Sequence, residues 1–322
     1  MNTLPQPAVH LREVGLRDGL QMVTTFLDTA DKLQWIRDDH AAGVQEIEVT
    51  SLVPPRLIPQ FADAAEVVAG ALALPGLTTV ALVPNLRGAE RAFELGVHKL
   101  DFVVSVSRTH NLRNVRRERE ASLEDFTRIV QARDAAGLRG RVAVAAGLST
   151  ALGCSYEGPI AVDEVRRCAA ALAAAGAEEI MVADTVGYGH PLRVAEVLQA
   201  VQAETGAIPL AAHFHDTRGL GLANCKAAWD NGVRRFDASL GGLGGCPHAP
   251  GATGNVTLED LCFLFESMGV PTGIDLAALL QVRARIAQRL ADVPMYGALA
   301  RAGLPQGYQP ATATNPDLST SP

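Results

Sequence analysis

The feature that most limits the fold is an alternation, repeated eight times, of a short β-branched or apolar run with a longer Ala-, Leu- and Glu-rich segment. The runs are His10–Val14, Val44–Thr50, Thr78–Val83, Lys99–Val104, Arg141–Leu148, Glu179–Val186, Leu210–Asp216 and Arg234–Leu240. Each reads as a strand, and intervening segments such as Ala161–Ala175 and Pro191–Thr205 carry apolar residues at helical spacing. Gly43, Gly96, Gly137, Gly176, Gly206 and Gly232 each fall shortly before the next run. A helix C-terminus favours a residue free to take positive φ at such a place. Strand–helix alternation implies a parallel sheet. Eight units in 322 residues favour closure into a (β/α)8 TIM barrel over an open doubly wound sheet. No Gly-rich dinucleotide fingerprint follows the first strand, which argues against a Rossmann domain.

Further helices are expected over Leu258–Met268 and Asp275–Leu290. The chain is read as one catalytic domain over residues 1–304, followed by a flexible tail over 305–322 rich in Pro, Thr, Ser and Asn. With 48% hydrophobic and 20% charged residues the composition is that of an ordinary globular enzyme. Its net charge of −7, with a single short basic run at Arg113, Arg116, Arg117 and Arg119, gives no face for nucleic acid. No apolar stretch is long enough to span a bilayer, and the N-terminus lacks a charged-then-apolar leader, so a cytoplasmic location is expected. The five cysteines form no Cys-x-x-Cys pair and are read as free thiols.

In a barrel of this kind the chemistry sits at the C-terminal ends of the strands. The unusual polar residues gather there: Arg17, Asp18 and Gln21 after strand one, Glu48 and Ser51 at strand two, Asp184 and Thr185 at strand six, His213 and His215 at strand seven. Two histidines two residues apart on a strand face the same side, so both imidazoles can hold one metal ion. Asp18 supplies an anionic ligand and Asn255 a carbonyl oxygen. That set suits Mg2+ or Mn2+, although the ligand types leave Fe2+ and Zn2+ open. The Arg17 donor fork fits a developing oxyanion, the alternative being a surface or ion-paired arginine. The glycine-rich run 242–255, GLGGCPHAPGATGN, can hinge over a substrate, and a thiol there, Cys246, can act as acid or nucleophile. Cys168, Cys225 and Cys262 lie in helical segments and are read as packing residues.

The runs GLRDGLQ, EVTS, PNLRG, ALGCSYEG, ADTVG, HFHDT and GLGGCPHAPGATGN, in that order from about residue 10 to 290, resemble the 3-hydroxy-3-methylglutaryl-CoA lyase family. That family is related to the isopropylmalate and homocitrate synthases. The resemblance implies an acyl-CoA substrate, a homodimer or higher homo-oligomer, and a divalent metal held by Asp18, His213, His215 and Asn255. It assigns Arg17 to the thioester oxygen and makes Cys246 the residue that exchanges a proton with the acetyl-CoA carbon. Glu48 and Asp184 become acidic residues near the metal. Gln21, Ser51, Gly147, Met181, Thr185 and His248 fall to the substrate pocket.

Several of those positions depart from the family. The lyases usually carry Tyr at the position of Gly147 and a small hydroxyl residue at that of Met181. His248 replaces an aromatic, Arg218 stands where Tyr is common, and Arg108 where an acidic residue is frequent. A larger or less polar acyl substituent is therefore weighed beside the methyl compound. A condensing synthase would use the same barrel and metal site, but normally adds a C-terminal regulatory domain and does not need the GLGGCP run. A non-catalytic binding barrel would be expected to lack one of the inner residues, and none is missing.

Overall fold

The computed structural model describes residues 7–245 and 254–311. Eight parallel strands close into a barrel in chain order: β1 His10–Glu13, β2 Glu46–Ser51, β3 Thr78–Leu82, β4 Lys99–Ser105, β5 Ala143–Ser149, β6 Glu179–Asp184, β7 Leu210–Phe214 and β8 Arg235–Ala238. Closure is made by β8, which pairs with β7 on one side and β1 on the other. Each expected strand is present, with ends displaced by at most a few residues.

Around the barrel lie α1 Thr29–Ala41, α2 Ala64–Leu72, α3 Leu86–Leu95, α4 Arg108–Val115, α5 Arg119–Ala135, α6 Val162–Ala175, α7 Pro191–Thr205 and α8 Gly221–Asp230. After β8 come α9 Leu258–Ser267, α10 Leu276–Arg289 and the short α11 Leu299–Ala302. The helix starts follow from the sequence. Asp28, Asn85, Ser107 and Asp275 each accept a hydrogen bond from a backbone N–H of the first turn of α1, α3, α4 and α10. Their ends do as well: Gly96 and Gly176, closing α3 and α6, take φ of 79° and 96°. On α6 the buried stripe is Val165, Cys168, Ala169 and Leu172, and each branched side chain so buried contributes about 1.5–3 kcal/mol. Cys168, Cys225 and Cys262 are buried in α6, α8 and α9, as their helical context implies.

The barrel interior is unusual for its class, because its lower layers are charged where aliphatic side chains would normally fill them. Arg12, Lys99, Glu46, Asp101, Glu179 and Asp237 point inward and pair with one another. Residues 305–311, placed in the tail by sequence, lie against α9: the Tyr308 ring packs on Phe263, and the Ala311 N–H donates to Glu266 at 2.6 Å. Among the described residues no helix is long and apolar enough to cross a membrane.

Candidate active site

The site is built where β1, β2 and β7 end. After β1 the chain makes a five-residue helical turn, Gly15–Gly19, in which the N–H groups of Arg17 and Asp18 donate to the Val14 carbonyl at 3.1 and 2.7 Å. Gly15 is required there, because a Cβ would collide with the Glu13 carboxylate and meet the Trp35 ring at 3.0 Å. The turn presents Arg17 and Asp18 side by side, joined by a 2.7 Å ion pair. Arg17 Nε also donates to Glu48 Oε2 at 2.5 Å. Glu48 sits where the β2–β3 register shifts, an irregularity that re-aims a strand side chain.

His213 and His215 project from the end of β7 with their Nε2 atoms 3.2 Å apart, and His215 Nε2 lies 3.7 Å from Asp18 Oδ2. One ligand atom from each of Asp18, His213 and His215 falls within 4.8 Å of the others, and all three residues are buried. Asn255 is brought in by an antiparallel bridge to His215. Its amide nitrogen donates to Asp18 Oδ2 at 2.7 Å and to the Leu243 carbonyl at 3.0 Å. That pairing fixes the amide's orientation, since the reverse would set oxygen against two acceptors. The Asn255 Oδ1 atom is thereby left buried with no hydrogen-bond partner. Two converging imidazole nitrogens, a carboxylate and an orphaned carbonyl oxygen fit a divalent cation of the hard or borderline type. Gly244 completes the fit at φ 131°, because a Cβ there would strike the Asn255 amide and come within 3.0 Å of Asp18.

The electrostatics follow from burial and neighbours. Burial alone would raise Asp18, but the Arg17 guanidinium and the two histidines hold its carboxyl well below the usual range. Burial pushes Glu48 up to about 7, aided by Asp101 and opposed by Arg17. Burial would lower His213, yet its bond to Asp237 raises it above the ordinary value.

The expected residues divide by position. Arg17, Asp18, Gln21, Glu48, His213, His215 and Asn255 come together, with Gln21 donating to Asp18 Oδ1 at 2.8 Å. The carboxylate of Asp184 accepts the backbone N–H groups of Tyr188 and Gly189, both at 2.9 Å, and so shapes the loop after β6. Thr185 Oγ1 bonds Ser149 Oγ at 2.9 Å and accepts from the Thr150 N–H at 2.8 Å. Ser51 Oγ accepts from the Val53 N–H at 3.4 Å. Gly147 and Met181 are register partners on β5 and β6. Arg218 donates to the Val186 and Gly187 carbonyls and lies over the Tyr188 ring, while Arg108 pairs with Glu120. Cys246 and His248 lie outside the described residues.

The HMGL-like family model matches residues 8–286. The chain belongs to the HMGL-like family. This HMGL-like chain is 40% identical over 288 residues to the hydroxymethylglutaryl-CoA lyase YngG of Bacillus subtilis, covering 89% of the chain and 95% of that relative. It is also 40% identical over 278 residues to the 3-hydroxy-3-isohexenylglutaryl-CoA/hydroxy-methylglutaryl-CoA lyase of Pseudomonas aeruginosa, covering 86% of the chain and 91% of that protein. A solved HMG-CoA lyase from Acinetobacter baumannii, in complex with coenzyme A and 3-methylmalate, superposes with a TM-score of 0.86 at 39% identity, covering 94% of this chain and 97% of that one.

The residues that sequence reasoning passed over in this HMGL-like barrel are Arg12 and Asp237. Asp237 accepts from His213 Nδ1 at 3.0 Å and from Arg12 Nε at 2.7 Å. A signal was available: a charged side chain inside a short strand of a parallel barrel, as in HLRE and RFDA, is out of place unless it is paired.

Proposed function

We propose that this chain is a metal-dependent carbon–carbon lyase of the hydroxymethylglutaryl-CoA lyase type. It would cleave a 3-hydroxy-3-substituted acyl-CoA to acetyl-CoA and a keto acid, which is acetoacetate when the substituent is methyl. The observation that carries this reading is the buried convergence of Arg17, Asp18, Glu48, His213, His215 and Asn255 at one barrel mouth, together with 40% identity to a lyase over nearly the whole chain.

Asp18, His213, His215 and Asn255 would hold the ion, for which Mg2+ or Mn2+ is proposed. A bound divalent ion would supply Lewis-acid polarisation, making the tertiary hydroxyl of the substrate more acidic. The chain's own residues account for the rest. Glu48, poised near neutrality, can take the hydroxyl proton directly or through water. The oxyanion then forms the ketone while the carbon–carbon bond breaks, and its electron pair passes to the acetyl-CoA enolate. Arg17, held by Asp18 and Glu48, would offer its remaining N–H groups to the enolate oxygen, where charge is greatest in the transition state. Cys246 is assigned the proton delivered to the enolate carbon.

A larger 3-substituent is the second reading, and the pairing of Gly147 with Met181 supports it. A missing side chain at residue 147 beside a flexible thioether would favour alkyl or alkenyl chains by ~1–3 kcal/mol per methylene-sized difference. Steady-state kinetics with 3-hydroxy-3-methylglutaryl-CoA against longer 3-alkyl and 3-alkenyl analogues test both. A higher kcat/KM for the methyl compound would exclude the enlarged pocket, and cleavage of none of them would exclude the lyase.

A further inference from the structure

Asp237 lies between two functional strands by register alone. On β8 it is the Cα partner of Arg12 on β1 and of His213 on β7. All three side chains point into the barrel and are at least nine-tenths buried, with Asp237 at 3% exposure. Arg12 grips both carboxylate oxygens, through Nε at 2.7 Å and a terminal nitrogen at 3.0 Å, and is itself held by Asp101 at 2.8 Å. The oxygen facing His213 Nδ1 at 3.0 Å is thus immobilised before the histidine meets it.

An ionised carboxylate only accepts hydrogen bonds, so His213 Nδ1 must carry a proton, and in the neutral ring Nε2 then presents its lone pair. That lone pair is directed toward His215 Nε2 and Asp18, where the cation ligands converge. His215 has no such support, since its Nδ1 is buried without a hydrogen-bond partner. The two histidines of the HFHD run are therefore unequal.

We infer that Asp237, clamped by Arg12, is the positioning residue that fixes the ring and tautomer of His213, making it the preset member of the two imidazole ligands. The inference rests on the metal reading of this cluster. A hydrogen bond of this kind orients an imidazole and raises its basicity toward a metal, and its loss typically costs 10–100-fold in metal affinity. Arg12 acts one step further back by holding Asp237 against rotation.

The decisive variant is Asp237→Asn, which keeps shape and removes charge. An amide cannot accept on both oxygen positions: turned one way it sets an N–H against Arg12 Nε, and turned the other against both His213 Nδ1 and the Arg12 terminal nitrogen. Mn2+ titration followed by electron paramagnetic resonance should show affinity lower than wild type by roughly 10–100-fold. In the metal-free wild type at alkaline pH, 15N imidazole spectra should place the His213 proton on Nδ1. In the variant that proton should move, wholly or partly, to Nε2, a change that a purely structural role would not produce.

Wild-type His213 protonated on Nε2 would overturn the inference. So would a folded Asp237→Asn protein that binds Mn2+ as tightly as wild type. Should the variant fail to fold, the wild-type spectrum alone decides. Wild type that binds no Mn2+ while keeping the Nδ1 proton would overturn the metal reading, and the inference with it, in a recognisably different way.

Discussion

The Met181 methyl lies 3.1 Å from the point where a Cβ on Gly147 would stand, and the two residues face each other across β6 and β5. Met181 therefore uses the space beside a position with no side chain, and its sulfur accepts from Arg12 at 3.4 Å. An aromatic at residue 147 and a methionine at residue 181 compete for one volume.

That competition predicts strong coupling between the two positions. Gly147→Tyr alone should destabilise the protein by about 1–3 kcal/mol through overpacking. Adding Met181→Ser should recover much of that loss, with a coupling energy of ~0.5–3 kcal/mol. Denaturant unfolding of the two single variants and the double variant measures the cycle, and additive losses would show that the residues do not share space.

Metal binding should stabilise the fold through the three buried ligands. At free Mn2+ or Mg2+ about 100 times Kd the expected gain is ~2.7 kcal/mol. Thermal melts with and without chelator should show that gain in wild type and its loss in Asp18→Asn and His215→Ala. Chelated enzyme should lose activity and regain it on adding either ion. A melting temperature indifferent to chelator and ion in wild type would remove the metal from the account.

Substitution of Cys246 separates metal binding from turnover. Cys246→Ala should leave Mn2+ affinity within about twofold of wild type while lowering kcat by roughly 10²–10⁴-fold, the usual contribution of a positioned acid. Unchanged turnover would assign the proton to another donor.

Stability should fall as pH rises across neutrality. Burial lifts Glu13 to about 8 and Glu259 to about 7, and it raises buried Asp39, whose neighbours Glu13 and Asp38 push it further. A carboxyl whose folded value is raised keeps its proton in the native state after the unfolded chain has lost it. Its contribution is therefore present in full below the ordinary value of 4.5 and is lost as pH climbs through 7 to 8. Each group contributes at most about 1.4 kcal/mol per pH unit within its window. The pairing of Glu259 with Arg283 at 2.7 Å partly offsets its rise. Unfolding midpoints measured across this range should decline with pH, and Glu13→Gln should flatten the slope; an equal slope in the variant would place the titration elsewhere.

The barrel was readable because its determinants are local: the β-branched runs and the glycines closing α3 and α6. The inner site was readable where two of its residues meet at a strand's end, as His213 and His215 do, or share a turn, as Arg17 and Asp18 do. What stayed hidden depends on strands far apart in sequence. Arg12 and Asp237 gain meaning only through the register in which β1 meets β8. The Asp184 carboxylate also accepts the Tyr188 and Gly189 N–H groups, a loop geometry that composition does not encode.

The contact between Asp18 and Asn255 spans 237 positions of sequence and measures 2.7 Å. One partner follows the first strand and the other follows the last. The cluster of Asp18, His213, His215 and Asn255 is therefore complete only in the closed barrel, where β8 pairs with β1. On the proposed ligand set, a divalent ion would meet all four ligands only in the closed ring, so that tight binding would report a finished fold.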